Sequence, residues 1–388
     1  MIDFPASPTV GQQFTAGGIT WIWDGSKWTT SGSGGPYLQL AGGTLTGPLV
    51  LAADPVVPLG ALTKQYVDVQ PIVGSNRIIN GDFLNTQYGA SGTVNGLTAD
   101  RWRLGMNQAG KMNWQVTGSV AATPFGFPRC MSITSLSAYT ALAADSFCFL
   151  QSIEANFVSD FAWGTSGAQP VTLSFWINVS IAGTYSGVIS NFGPPVTRSY
   201  PFTFTAPVGW SKQIVTIPGD TGGTWVNSGN GGSVYVTFDL GSGANFRGTA
   251  NQWQNASLNG VNGTASIVAI NGAVYQLVGV KLEIGSIATP FNRETISKSL
   301  SDCQRYYQTI NSWLMGGYGA AGATMYSDTM LATTMRVAPT VTLVTPNYSN
   351  ASGLVLNNSF PESIALRMII TAAGTGWAQS TITMSAEM

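Results

Sequence analysis

The chain has no histidine, three cysteines, and charged residues at only 9% of its 388 positions. Without His, Ser/His/Asp and Cys/His nucleophile activation, His-ligated zinc and the usual neutral-pH proton shuttle are excluded. The odd cysteine count, with Cys130, Cys148 and Cys303 in apolar or helical contexts, favours buried free thiols over a disulfide framework; Cys130–Cys148 pairing is the alternative. The 16 Lys and Arg against 17 Asp and Glu give a net charge of −1 with no basic block. Phosphate backbones and anionic lipids require such a block, so nucleic acid and membrane surfaces are poor partners. No apolar run approaches the roughly 20 residues of a membrane span, and Met1 to Pro8 lacks the charged and apolar regions of a secretory signal. The chain is therefore expected to be made and kept in the cytosol.

What is present is apolar and glycine-rich: 44% hydrophobic residues and 47 Gly. So few charges leave little to keep a monomer soluble, and burial in an assembly is expected. The length suggests two or three domains. Near the start, Ile19-Thr20-Trp21-Ile22-Trp23 and Trp28 flank Asp24-Gly25, a hairpin signal. Residues 1–30 form a β module too small to bury Trp21, Trp23 and Trp28 alone, so these rings are expected to dock on a partner. Ser31 to Pro36 reads as a linker. Within 31–75, Leu59, Leu62 and Tyr66 make one apolar stripe on a short helix that depends on packing, either by self-association or on its own domain.

From 76 to 293 the pattern alternates with period two, as in Val171 to Val179, Val234 to Leu240 and Val278 to Ile284, between glycine-rich turns. This predicts an antiparallel sandwich of jelly-roll type. Residues 294–388 read as a helix carrying Ile296, Leu300, Cys303 and Tyr307 on one stripe, a glycine-rich loop over Gly316 to Ala323, and a small β domain. The fold class is thus mainly β.

Candidate chemistry is sparse. Gly317-x-Gly319-x-x-Gly322 matches a dinucleotide fingerprint but follows a helix rather than a strand, and a loop is the better reading. A glycosidase needs two carboxylates flanking the scissile bond. The acids of the sandwich, among them Asp82, Asp100, Glu154, Asp160, Asp220 and Asp239, read instead as turn formers, caps or arginine partners, as Asp100-Arg101 suggests. No calcium-loop motif occurs, and no cofactor or metal is expected. Sugar recognition needs an aromatic face beside amides. The candidates are Trp225 with Asn227 and Trp253 with Asn255, each Trp having half-buried core as its plainer reading.

Several of these stretches resemble bacteriophage tail fibre proteins. Tyr37-Leu38-x-Leu40-Ala41-Gly42-Gly43-Thr44-Leu45-Thr46-Gly47-Pro48-Leu49, followed by Ala61-Leu62-Thr63-Lys64-Gln65-Tyr66-Val67-Asp68, is similar to a stem repeat of phage fibres. Asn76-Arg77-Ile78-Ile79-Asn80-Gly81-Asp82-Phe83 with Ala99-Asp100-Arg101-Trp102 resembles the opening of their jelly-roll, carbohydrate-binding-like module. Leu282-Glu283-Ile284-Gly285 and Cys303-Gln304-Arg305-Tyr306-Tyr307 resemble its closing strand and the helix behind it, and Met335-Arg336 and Ser385-Ala386-Glu387-Met388 continue the likeness. The resemblance implies a non-enzymatic homotrimer in the virion, joined to tail or baseplate proteins through its N-terminus and binding host surface glycan. The alternatives are a tailspike-like depolymerase and a purely structural decoration protein.

Overall fold

The computed structural model describes residues 3–30, 76–118, 126–193 and 196–388. The expected linker and the stripe of Leu59, Leu62 and Tyr66 lie outside them. The chain divides into two compact units, Met1–Val67 and Asp68–Met388.

In the first unit, strands Gln13–Ala16, Ile19–Trp23 and Trp28–Thr30 make one antiparallel sheet. Its first hairpin turns through Gly17-Gly18, both at positive φ, a two-residue turn that the sequence reading passed over. At the second, the Asp24 carboxylate accepts from the Ser26 and Lys27 amides and the Ser26 hydroxyl, which lowers its pKa. Within the module the three tryptophans already have ring partners. Phe4 stacks on Trp28 at 5.3 Å and meets Trp21 edge-on at 5.3 Å, while Trp23 packs on Trp28 at 5.7 Å. The rings thus cover one another, yet none is fully buried.

The second unit opens with a sandwich of two six-stranded sheets. The first runs in the order Gly209–Ile217, Val171–Val179, Val274–Ile284, Cys130–Ser135, Met112–Thr117, Ser91–Gly92. The second runs Ser199–Ala206, Gly183–Asn191, Gly232–Asp239, Phe147–Glu154, Trp102–Met106, Gly96–Leu97. Every pairing within the two sheets is antiparallel, so this is the jelly-roll expected from the alternation. Inward residues such as Leu173, Phe175, Ile177, Val236 and Phe238 interlock around Trp102, which stacks on Phe149 at 4.9 Å.

The Asn76–Phe83 stretch is a structural plug. The Asn76 side chain accepts from the Ile78 and Leu282 amides, and the Gln151 amide both donates to and accepts from the Ile79 backbone. Asn80, at φ 56°, caps the Asn85 and Asp100 backbone while its carbonyl accepts from the Trp102 indole. A Cβ at Gly81 would collide with the Val280 carbonyl oxygen, so only glycine fits.

The single α-helix among the described residues spans Ile296–Gln304, capped by the Thr295 side chain. Its expected stripe does not hold together. Cys303 and Ser299, one turn apart, face the chain's own fold, where Ser299 accepts from Asn85 at 2.7 Å. Ile296 is 71% exposed and Leu300 half-buried. Tyr307 already belongs to a strand, Tyr307–Gly319, and stacks on Tyr88 at 3.8 Å. That strand also overturns the loop expected over the glycines: Gly316 to Gly319 pair in register with Gly374–Ser385, and this backbone pairing outweighs glycine's low β-propensity. The strands after the helix form two three-stranded sheets around Leu366, Met368, Ile382 and Met384. All three cysteines are free and buried.

The Asp100-Arg101 pair is not an ion pair of neighbours. Arg101 is bonded to Glu387, whereas Asp100 accepts from the Gln87 amide and side chain. Burial pushes Asp100 up to about 6 despite those bonds. A carboxylate whose folded-state pKa lies above its unfolded value destabilises the fold increasingly as pH rises from about 4 to about 6. Asp100→Asn is therefore expected to gain stability relative to the parent by about 3 kcal/mol between pH 4 and pH 6, from two pKa units at 1.36 kcal/mol each. Denaturant unfolding across that range would show a constant difference if Asp100 were unshifted.

Candidate functional site

The sequence-predicted sugar residues do meet in space, but as a structural cluster. Trp225 is 8% exposed, and its indole donates to Asp220 at 3.0 Å. Its ring meets Trp163 edge-on at 4.7 Å and Trp253 at 5.6 Å. Trp253 is half-buried, packs on Tyr200 at 5.2 Å and donates to the Pro218 carbonyl. Asn227 donates to the Trp163 carbonyl, and Asn255 accepts from Arg198, which also forms a two-pronged pair with Asp220 at 2.6 and 2.7 Å. Burial alone would raise Asp220, but Arg198 and Trp225 donating to it hold its carboxyl below the usual range. Trp225 is thus not an exposed tip, both indole N–H groups are bonded, and each asparagine has one side-chain atom engaged within the protein.

The acids are engaged in the same way. Glu154 is bonded to Arg305 and the Tyr306 hydroxyl, Asp239 to Arg247, Asp160 to Arg77, and Asp145 accepts from Tyr139 and the Leu142 amide. Among the described residues no group of three or more Cys, Asp or Glu side chains is placed to hold a metal ion.

The two outer faces of the sandwich differ. On the second sheet, Ser186, Ser190, Ser152 and Thr237 are buried. Ser186 there binds the Thr264 hydroxyl and the Val261 amide, so a covering segment occupies part of this face. A cavity of about 160 Å³ remains, lined by Arg103, Leu150, Tyr235, Asn259 and Glu387. Ligand pockets usually measure about 300–1,000 Å³.

The first sheet is also covered along part of its outer face, where Thr172, Ser174, Lys281 and Glu283 are buried and Lys281 donates to Thr289 and the Pro290 carbonyl, but beyond that cover it carries a polar row. The register places Trp210 beside Asn178, Asn178 beside Gln276, Gln276 beside Ser132, Ser132 beside Gln115 and Gln115 beside Ser91, so one line of side chains crosses all six strands. Directly opposed residues share a face. Asn178 donates to the Gln276 side-chain oxygen at 2.7 Å, and Gln276 donates to the Ser132 hydroxyl at 3.4 Å, leaving further amide protons and oxygens for a ligand. Gln115 and Ser91 are exposed, Trp210, Asn178 and Gln276 are half-exposed, and Ser132 between them is buried. At strand spacings near 4.8 Å the row is about 24 Å long. One row over, Trp176 stands opposite Lys212 at the mouth of a cavity of about 250 Å³. The row contains no titratable side chain. Sequence reading missed it because its members come from six strands far apart in the chain; the one available signal was Trp176-x-Asn178 on a strand with alternating burial.

No protein-family model matches this chain, and no curated protein matches it. Solved structures do. Tailspike protein 4 of bacteriophage CBA120, in its enzymatically active domain, aligns at 12% identity over 54% of this chain and 21% of that one, with a TM-score of 0.30. This chain thus spans about a fifth of that domain. A CBM4 module aligns at 15% identity over 53% of this chain and 98% of its own length, TM-score 0.30. A family 11 carbohydrate-binding module from Clostridium thermocellum, solved with a mixed-linked tetrasaccharide, aligns at 10% identity over 52% and 98%, TM-score 0.27.

The two classes of tryptophan are expected to separate on mutation. Trp225→Ala removes a ring from the core and should cost about 3–5 kcal/mol. Trp210→Ala removes a ring that is half-buried on the outer face and packs only partly against the core, so it should cost clearly less, about 1–2 kcal/mol. Equal losses in denaturant unfolding would place Trp210 in the core as well and remove it from the candidate site.

Proposed function

We propose that the protein is a non-enzymatic phage tail fibre that assembles as a homotrimer, attaches to the tail or baseplate through residues 1–30, and binds host-surface glycan. The observation that carries the binding role is the uncharged row from Trp210 to Gln115 on the uncovered part of the first sheet's outer face. An indole beside amides and hydroxyls matches the C–H faces and hydroxyl groups of a neutral sugar chain, and the length of the row suits several sugar units. The absence of an enzymatic role is supported by the bonding of the acids: Glu154, Asp220 and Asp239 are buried in arginine pairs, which leaves them poorly placed to act as a free acid and base. Assembly is supported by the low charge, by the exposed Ile296 and by the half-covered rings of Trp21, Trp23 and Trp28. Made in the host cytoplasm, such a fibre would reside in the virion tail.

Two outcomes test this reading. Purified protein should scatter light as a trimer and should block adsorption of whole phage to host cells; a stable monomer that does not compete would sink it. Deleting residues 1–30 should leave a soluble trimer that no longer enters particles.

Glycan binding should also be nearly flat between 50 and 500 mM salt and between pH 5 and 8, because no titratable group lies in the row and neutral contacts escape screening by salt. A steep loss with salt would point instead to Lys212 and an anionic ligand.

A further inference from the structure

The C-terminal β domain carries a second uncharged face. Strands Tyr307–Gly319, Gly374–Ser385 and Thr340–Ser349 form one sheet, and none of the three contains Asp, Glu, Lys or Arg. Trp313, Met315, Ala378, Ile382 and Met384 point into the core. The register sets the opposite face: Gly316, Trp377 and Ser349 share one row, Leu314, Gln379 and Asn347 the next, and Tyr318 lies beside Thr375. Leu314 is 63% and Tyr318 78% exposed, Trp377 is half-exposed, and Asn347, Ser349 and Thr375 are exposed.

Gly316 is the informative residue. Its φ is not positive, and a Cβ added there would meet nothing nearer than 3.7 Å, so neither backbone nor packing requires glycine. The missing side chain leaves a notch on the edge strand, beside the side chain of Trp377 on the central strand. A glycine inside a strand weakens it and marks places where another molecule comes close. The other sheet of this domain contrasts with it, since Arg367 stands opposite Tyr326 and Val355, and Asp328 lies on the same strand as Tyr326.

We infer that this face is a second binding site for a neutral saccharide, with Trp377 stacking on a sugar ring admitted by the Gly316 notch and Gln379, Asn347 and Ser349 bonding its hydroxyls. Charge complementarity selects the ligand: a surface with no ionic group binds an uncharged, hydroxyl-rich partner without stranding a charge. This rests on the glycan-binding reading above and adds a site in a separate core of the same chain.

The test uses the full-length protein on an array of neutral and sialylated saccharides, comparing the parent with Gly316→Leu, Asn347→Ala and Trp210→Ala. Gly316→Leu fills the notch in a position with room for it, so thermal stability should be retained while binding to a subset of the neutral saccharides falls at least tenfold. Asn347→Ala, at an exposed position, should weaken the same subset and serves if Gly316→Leu folds poorly. Trp210→Ala should weaken a different subset. Loss with Trp210→Ala but not with Gly316→Leu or Asn347→Ala overturns this second site and leaves the sandwich reading standing. A parent that binds no neutral saccharide overturns both. A drop in sedimenting mass with Gly316→Leu would make the face a contact between copies of the chain and would likewise overturn it.

Discussion

The guanidinium of Arg101 holds the sandwich and the C-terminal domain together. It is buried, lies 3.5 Å from the centre of the Tyr306 ring, donates to the Ser152 carbonyl and is bonded to Glu387, almost three hundred residues later. Burial lowers its pKa, opposed by the neighbouring Tyr306. A second buried pair runs alongside: Glu154 takes two bonds from Arg305 and one from the Tyr306 hydroxyl. Arg336 closes the arrangement by donating to the Ala386 and Glu387 carbonyls. Buried ion pairs contribute little net stability, but removing one partner costs about 3–5 kcal/mol because the other charge is stranded. Their effect here is to fix position. Tyr306 and Glu387 lie next to the paired residues Tyr307 and Ser385, so the charges set where the first strand of the C-terminal sheet begins and where its central strand ends.

Strands were legible from the sequence wherever one face is buried. Val171 to Val179 and Val278 to Ile284 alternate in hydrophobicity because period two is the only repeat that sends every second side chain into a sandwich core. Other elements were obscured by specific features. The Ile296–Tyr307 stripe looked continuous because Tyr307 falls on the helical repeat, although the helix ends at Gln304 and the tyrosine starts a strand. The glycines at 316–319 looked like a loop because the strand that pairs with them lies some sixty residues downstream.

The site was the least legible part, for a related reason. Trp225 with Asn227 and Trp253 with Asn255 are close in sequence and carry suitable chemistry, but a short loop also needs polar partners, and Asp220, the Pro218 and Trp163 carbonyls and Arg198 engage one polar atom of each. A row across a sheet has no local signature. Ser91, Gln115, Ser132, Asn178, Trp210 and Gln276 become neighbours only once register is set, and each alone is an ordinary polar or aromatic residue on a strand.

The scarcity of charge has a spatial pattern. Of a small total, Arg101, Glu154, Asp220, Asp239, Lys281 and Glu283 are buried in pairs, so the outer surface is more neutral than composition alone conveys. Amides and hydroxyls must then supply both solubility and recognition. Such groups are bonded to water before a ligand arrives, so each contact exchanges one hydrogen bond for another with a net gain of only about 0.5–1.5 kcal/mol. A surface built this way binds weakly at any one site. Useful adhesion then follows from repetition, because once one face is engaged the next meets its ligand at an effective concentration set by the spacing between faces. Under the proposed homotrimeric reading, neutral faces on a scaffold whose charges are spent internally would work through multiple copies, and the same low charge that weakens each contact would leave few ionic barriers to bringing those copies together.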